Sequence, residues 1–202
     1  ITESRDAAAD ALMASLDEIR GPLVVTETMQ SLGLKNTFMA GYFAPGSLPL
    51  DHFRTPANSR SDINTDPDIY NQTTPSDMGI LLEDIYQCSQ IGGGALVAVF
   101  PGQITQAACQ QMIYYLEANK PVMIIKAGVP EGTVIANKYG YVSYADGIVN
   151  NVSDAAIVFT PAGNYVLTIY AYHPIQAQWN IVLPMHVELS RAIYNYFNLP
   201  AR

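Results

Sequence analysis

The feature that most limits how this chain can fold is a change in the spacing of its apolar residues after Pro121. Upstream of that proline they recur every three to four residues, the repeat of helices with one buried face. Downstream the period falls to two, and 133–143, 155–160 and 165–172 read as strands. Pro161-Ala162-Gly163-Asn164 is a tight turn that joins the last two as a hairpin. A closing helix over about 185–197 carries Met185, Leu189, Ile193 and Phe197 as its expected buried stripe. Helices, then an antiparallel meander, then one helix is the order of an α+β fold, with the last helix covering one face of the sheet. Three strands make a small sheet with two edges to hide, so the chain is expected to lack a partner segment.

The helical part divides at Gly and Pro. Ala8, Ala9, Leu12, Met13, Leu16 and Ile19 share one face of a helix over 7–19, with Ser4 or Asp6 as its N-cap. Gly21-Pro22 ends it and opens a second helix that carries Leu23, Val24, Met29 and Leu32 and stops at Gly33. Residues 36–73 are rich in Pro, Asn, Asp, Ser and Thr and show little periodicity. A loop of that length inside a compact domain is functional or disordered. Thr74-Pro75-Ser76-Asp77 is a strong helix start, and Met78, Leu81, Leu82, Ile85 and Tyr86 form the stripe that follows. Gly92-Gly93-Gly94 breaks the chain. Thr105 caps the next helix, which buries Cys109, Met112, Ile113 and Leu116.

Composition removes several classes. At 202 residues with 49% apolar and 14% charged side chains, the chain forms one domain with a sizeable core and is not disordered. Its net charge of −8 would repel a nucleic-acid backbone, so no nucleic-acid partner is expected. The longest apolar stretch, from Ala95 to Phe100, is far too short to span a bilayer. Asn, Gln, Ser, Thr and thirteen Tyr build the polar surface, which fits an extracellular or cell-envelope protein. Cys88 and Cys109 lack the spacing of a zinc site. They are either a disulfide between two neighbouring helices or two buried thiols. His52, His173 and His186 are scattered, so neither a metal site, a cofactor nor a Ser-His-Asp triad is expected.

Three stretches together resemble the class A β-lactamase family of penicillin-recognising serine hydrolases. Ile1-Thr2-Glu3-Ser4-Arg5-Asp6 through Leu12 resembles the family's Ser-Asp-Asn loop and the helix after it. Gly21-Pro22 through Leu32-Gly33-Leu34, with Asn36-Thr37, resembles the next helix and turn. Ala127-Gly128-Val129-Pro130 through Asn137-Lys138-Tyr139-Gly140 resembles the Lys-Thr-Gly strand and the turn before it. Gln72-Thr73-Thr74-Pro75 matches the close of the family's omega loop, which places an omega-like loop at 36–73. Asp154 through Pro161 and the strand after it match the next two strands. The match is collinear over nearly the whole chain. It implies a β-lactamase/transpeptidase-like fold, with residues 1–202 as the C-terminal part of one domain. The first strands and the Ser-x-x-Lys helix would lie upstream of residue 1, as an N-terminal segment of the same fold.

The chemistry the resemblance implies is acyl transfer on a β-lactam or peptidoglycan-type carbonyl. Ser4 matches the loop serine, which relays a proton to a leaving nitrogen; read from the residues alone it is equally an N-cap. Lys138 matches the motif lysine, and the plainer reading is a solvent-facing lysine. Ser4 and Lys138 are thus the catalytic candidates, and Asp6, Tyr139 and Gly140 the substrate-binding ones. Arg5 and Asp6 replace the family's Asp and Asn, and an ionised Asp cannot donate to a substrate carbonyl as Asn does. Asp6 would instead pair with Lys138 or cap the helix. Tyr139 replaces Thr or Ser and points to the face opposite Lys138. Gly140 suits close backbone approach on an edge strand. No Glu lies between Glu27 and Glu83, so the omega-loop Glu that activates the deacylating water is lost unless Asp62 or Asp66 stands in. Two functions follow: a serine hydrolase with weak or lost β-lactamase turnover, or a catalytically degenerate member that binds or scaffolds in the cell envelope.

Overall fold

The computed structural model describes residues 2–63, 68–120, 124–143 and 147–199. Two helices, α1 (Asp6–Leu16) and α2 (Gly21–Ser31), lead into the long loop. Strands β1 (Phe38–Met39) and β2 (Asn71–Gln72) pair antiparallel across that loop. Helix α3 (Pro75–Ile91), the short α4 (Ala95–Val99) and α5 (Gln106–Glu117) follow. A 3-10 turn (Lys126–Gly128) precedes the three-stranded antiparallel sheet of β3 (Val134–Ser143), β4 (Val149–Phe159) and β5 (Tyr165–Tyr172). Helix α6 (Trp179–Phe197) closes the described chain.

Both faces of the sheet are covered. Ala136, Ala155 and Ile157 pack against Leu82, Ile85, Ile113 and Leu116 of α3 and α5. On the opposite face Ile135, Ala156, Val158 and Leu167 pack with Ile125 and with Ile193 of α6. Strand β4 lies between β3 and β5 and is buried on both sides, the condition in which alternation gives way to a continuous apolar run. Cys88 and Cys109 form a disulfide that ties α3 to α5, with their Cα atoms 5.8 Å apart.

The described parts of the long loop, 36–63 and 68–73, are tied down by the residues that made it look unstructured. Asp77, in the first turn of α3, accepts from the Asn36 backbone N–H at 2.8 Å and from Thr37 Oγ1 at 3.0 Å. Gln72 Nε2 donates to the Asn36 carbonyl at 2.8 Å and to Thr55 Oγ1 at 2.9 Å. Thr74 caps α3 as expected, accepting from the Asp77 N–H at 3.2 Å, and Thr105 caps α5 in the same way. Each such cap contributes about 1 kcal/mol.

Four expectations need correction. Helix α1 buries only Met13, while Leu12, Leu16 and Ile19 stay 58–72% exposed, because no element packs on their face among the described residues. Neither Ser4 nor Asp6 caps α1; its N-cap is Arg5, without a side-chain bond. In α2 the buried residues are Gly21, Pro22 and Thr26, not the expected apolar set. Thr26 is buried because its hydroxyl replaces ladder partners for β1, accepting from the Met39 N–H and donating to the Met39 carbonyl, each at 2.7 Å. Finally, α6 starts six residues early and turns a different stripe inward. Val182, His186 and Ser190 are buried, while Met185 is 53% exposed.

The reason for that rotation lies in the polar atoms beneath α6. Ser190 Oγ donates to the Ile125 carbonyl at 2.8 Å, and the Ile125 N–H donates to Asp154 Oδ2 at 3.0 Å. Asn137 Nδ2 supplies Asp154 Oδ1 at 3.0 Å, and His186 Nδ1 is bonded to the Val182 carbonyl at 2.8 Å. Gly128 lets the 3-10 turn press on α6, since a Cβ there would collide with the Val187 carbonyl and with Ser190. Asp154→Ala leaves the Ile125 N–H and the Asn137 amide unpaired in the interior. It is expected to cost about 2–5 kcal/mol, measurable by chemical denaturation. Removing the disulfide, which spans 21 residues of sequence, as Cys88→Ala with Cys109→Ala is expected to cost about 2–4 kcal/mol in the same assay.

Candidate active site

Lys138 lies midway along β3, paired with Ala155, on the face it shares with Ala136 and Gly140. Its Nζ donates to Ser4 Oγ at 2.7 Å and to the Tyr139 carbonyl at 2.6 Å. The two side chains are 134 positions apart in sequence. Ser4 is brought there by a local anchor: the Lys120 N–H, just beyond α5, donates to the Thr2 carbonyl at 3.1 Å. Ser4 itself has φ of 49°, the one non-glycine described in the left-handed region. Such backbone strain persists where surrounding contacts hold it, commonly at functional sites.

The electrostatics of the lysine follow from its position. Burial pushes the Lys138 ammonium below the usual lysine range, and the charge of Asp154 opposes that shift. Asp154 is itself pushed up by burial, against the pull of its hydrogen bonds from Asn137, Ile125 and Ala155 and of nearby His186. Among the described residues both hydrogen-bond partners of Lys138 are neutral, and none forms an ion pair with it. An ammonium has three N–H donors, and two are used.

The other expected residues divide. Gly140 follows on the same face, where an added Cβ would meet only Ser153 Oγ at 3.4 Å, so no described neighbour demands a glycine. Tyr139 points to the opposite face and packs partly into the cluster of Ile124, Val152 and Val182, yet its ring centroid lies 4.6 Å from Lys138 Nζ. Asp6 sits in the first turn of α1, exposed, and forms neither the expected pair with Lys138 nor a cap. Arg5 is paired with Glu3 at 2.8 Å on the surface. Asp62 is held by the Arg60 guanidinium, which keeps its carboxyl at about 2. Asp66 lies outside the described residues.

Beside the Gly140 row runs a cleft of about 530 Å³, lined by Arg60, Thr73, Thr74, Ser153, Tyr170 and Tyr172. Ser153 pairs with both Gly140 and Tyr170 across the sheet, so this cleft is one row from Lys138. Burial, then the charge of Asp154, pushes the Tyr170 phenol up to about 12, so it stays a neutral donor at physiological pH. Sequence reasoning missed Tyr170 and the interior role of Asp154. A carboxylate inside an otherwise apolar strand was the available signal for the second. Among the described residues no group of three or more His, Cys, Asp or Glu could hold a metal ion, and no helix is long and apolar enough to cross a membrane.

Because burial disfavours the charged amine, Lys138→Met is expected to leave the melting temperature unchanged or raise it. The sign with pH follows. Between the lowered folded value and the unfolded value of 10.5, the unfolded chain holds a proton that the folded chain has released. Wild-type stability therefore gains as pH rises through that alkaline window, and the gain vanishes in the variant. Denaturation curves at several alkaline pH values check both points.

A family described as the β-lactamase enzyme family matches residues 1–197. No curated protein matched in a sequence comparison. Among solved structures, an ancestral class A β-lactamase is similar at 22% identity with a TM-score of 0.66, over 97% of this chain and 62% of its own. The TLA-3 extended-spectrum β-lactamase gives 16% identity and a TM-score of 0.68, over 97% and 61%. PBP-A gives 19% identity and a TM-score of 0.60, over 90% and 53%. The chain thus spans about three-fifths or less of the solved chains it resembles. With the expected α+β fold found over nearly all of its length and the family matched from residue 1 to residue 197, this chain belongs to the β-lactamase enzyme family.

Proposed function

We propose that residues 1–202 form the C-terminal part of a β-lactamase-like serine hydrolase domain that transfers acyl groups from β-lactam or peptidoglycan-type substrates. The observation that carries this reading is the 2.7 Å bond from Lys138 Nζ to Ser4 Oγ. A half-buried ammonium set against a hydroxyl holds that hydroxyl ready to pass a proton to a leaving nitrogen. The remaining N–H of Lys138 is available to a substrate carboxylate. The nucleophile comes from an N-terminal segment of the same fold, in the parent chain or cleaved from it. Three features support that partner: exposed Leu12 and Leu16 on α1 with Ile19 just beyond it, exposed Met185 and Leu189 on α6, and the outer backbone edge of β5, which pairs only with β4 among the described residues.

Deacylation is slow in this reading. No Glu is present in the long omega-like loop, and Asp62 is a poor base while Arg60 holds its carboxylate. The Cys88–Cys109 disulfide supports an oxidising compartment, in keeping with an extracellular or cell-envelope protein. A second reading, a catalytically degenerate binding or scaffolding module, is favoured by Arg5, Asp6 and Tyr139, which depart from the family's motif residues.

Incubating the full-length protein with a penicillin and recording its intact mass separates these. A stable adduct of one acyl unit, lost in Lys138→Ala, is the expected result. Unchanged mass with the penicillin intact favours the binding module. Unchanged mass with the penicillin hydrolysed overturns the argument from the missing Glu.

A further inference from the structure

We infer that Asp6 selects substrates with a free amino group, so that the site around Ser4 and Lys138 is complementary to a zwitterion: a short peptide or amino-acid acyl donor with an ammonium at one end and a carboxylate at the other. The inference rests on the acyl-substrate reading above. Two charges of opposite sign without an ion-pair partner among the described residues, on Lys138 and Asp6, flank Ser4 in space and in sequence. Lys138 is half-buried and, among the described residues, bonded only to neutral oxygens, those of Ser4 and the Tyr139 carbonyl. Asp6, two residues beyond Ser4, is exposed and makes no hydrogen bond or ion pair among the described residues. The cation next to it in sequence, Arg5, is already paired with Glu3 at 2.8 Å.

The spacing suits such a ligand. Two residues of extended chain reach about 7 Å, which bounds the Cα separation of Ser4 and Asp6 and is also the scale between the termini of a dipeptide. With its carboxylate on Lys138 and the Ser4 hydroxyl, a dipeptide of that length brings its amino terminus to the start of α1. An ammonium there meets the Asp6 carboxylate. An acylated amine meets the same carboxylate with a neutral N–H and a carbonyl, and the carbonyl oxygen is repelled.

Isothermal titration at neutral pH of the full-length protein with D-Ala-D-Ala and with N-acetyl-D-Ala-D-Ala tests this. The free-amine dipeptide is expected to bind about threefold tighter or more, the scale of an exposed ion pair, and that preference should shrink at high salt. In Asp6→Asn, which keeps the shape and removes the charge, the ratio should fall to about one or below. Lys138→Ala should weaken both ligands. Equal affinities in the wild type, or an unchanged ratio in Asp6→Asn, would overturn the assignment of Asp6 and leave the acyl-substrate reading standing. If neither dipeptide binds the wild type, that reading and this one fall together.

Discussion

The Asp154 carboxylate is fully buried in a strand whose two faces are both covered, and much of the surrounding structure exists to satisfy it. Its oxygens take the Asn137 amide from β3 and the backbone N–H of Ile125 from the turn before β3. The carbonyl of that same Ile125 takes the Ser190 hydroxyl from α6. One carboxylate therefore joins the central strand, its neighbour and the helix on top of them. An unpaired carboxylate in that position would be far too costly, so register and helix rotation are tied to the Asn137 and Ile125 donors. The same register puts Lys138 on the opposite face of β3, toward α5 and Ser4.

The geometry of the candidate site is thus supported from behind by a polar network it does not include. Asn137 and Lys138 are consecutive, so fixing the first beneath α6 directs the second outward. Burial disfavours the charge of Lys138, and Asp154, across the sheet, partly offsets that. Ser4 completes the arrangement from the far end of the chain, held in a left-handed conformation and anchored by the bond from Lys120 to Thr2. Neither half of the pair is placed by its own local sequence.

Much of the fold was legible because local chemistry marks it. Thr74 and Thr105 cap helices as their spacing foretold, and the Pro161–Asn164 turn joins β4 to β5. Strand β4 was read as starting at 155 rather than at Val149, because Asn150, Asn151 and Asp154 interrupt its apolar run. Those residues belong to the strand since the tertiary structure gives Asp154 partners that lie 17 and 29 positions away in sequence. The loop over 36–73 hid its order for a related reason. Asn36, Thr37, Gln72 and Asp77 carry no periodicity, yet they bind one another across roughly forty residues.

Ser4 and Lys138 were singled out from motif resemblance, whereas their contact, the lack of a partner for Asp6 among the described residues and the half-buried ring of Tyr139 were not. The sequence by itself determined the type and order of the main helices and strands and the caps at Thr74 and Thr105, because these depend on neighbours within a few residues. It also determined the acidic balance, which is a matter of composition alone. Only the tertiary structure decided which face of α6 turns inward, how the long loop is tied, whether the two cysteines meet, and which charge near Ser4 is left without a partner. Each of those depends on groups far apart in the chain, where satisfying a buried polar atom outweighs the local preference of an apolar stripe.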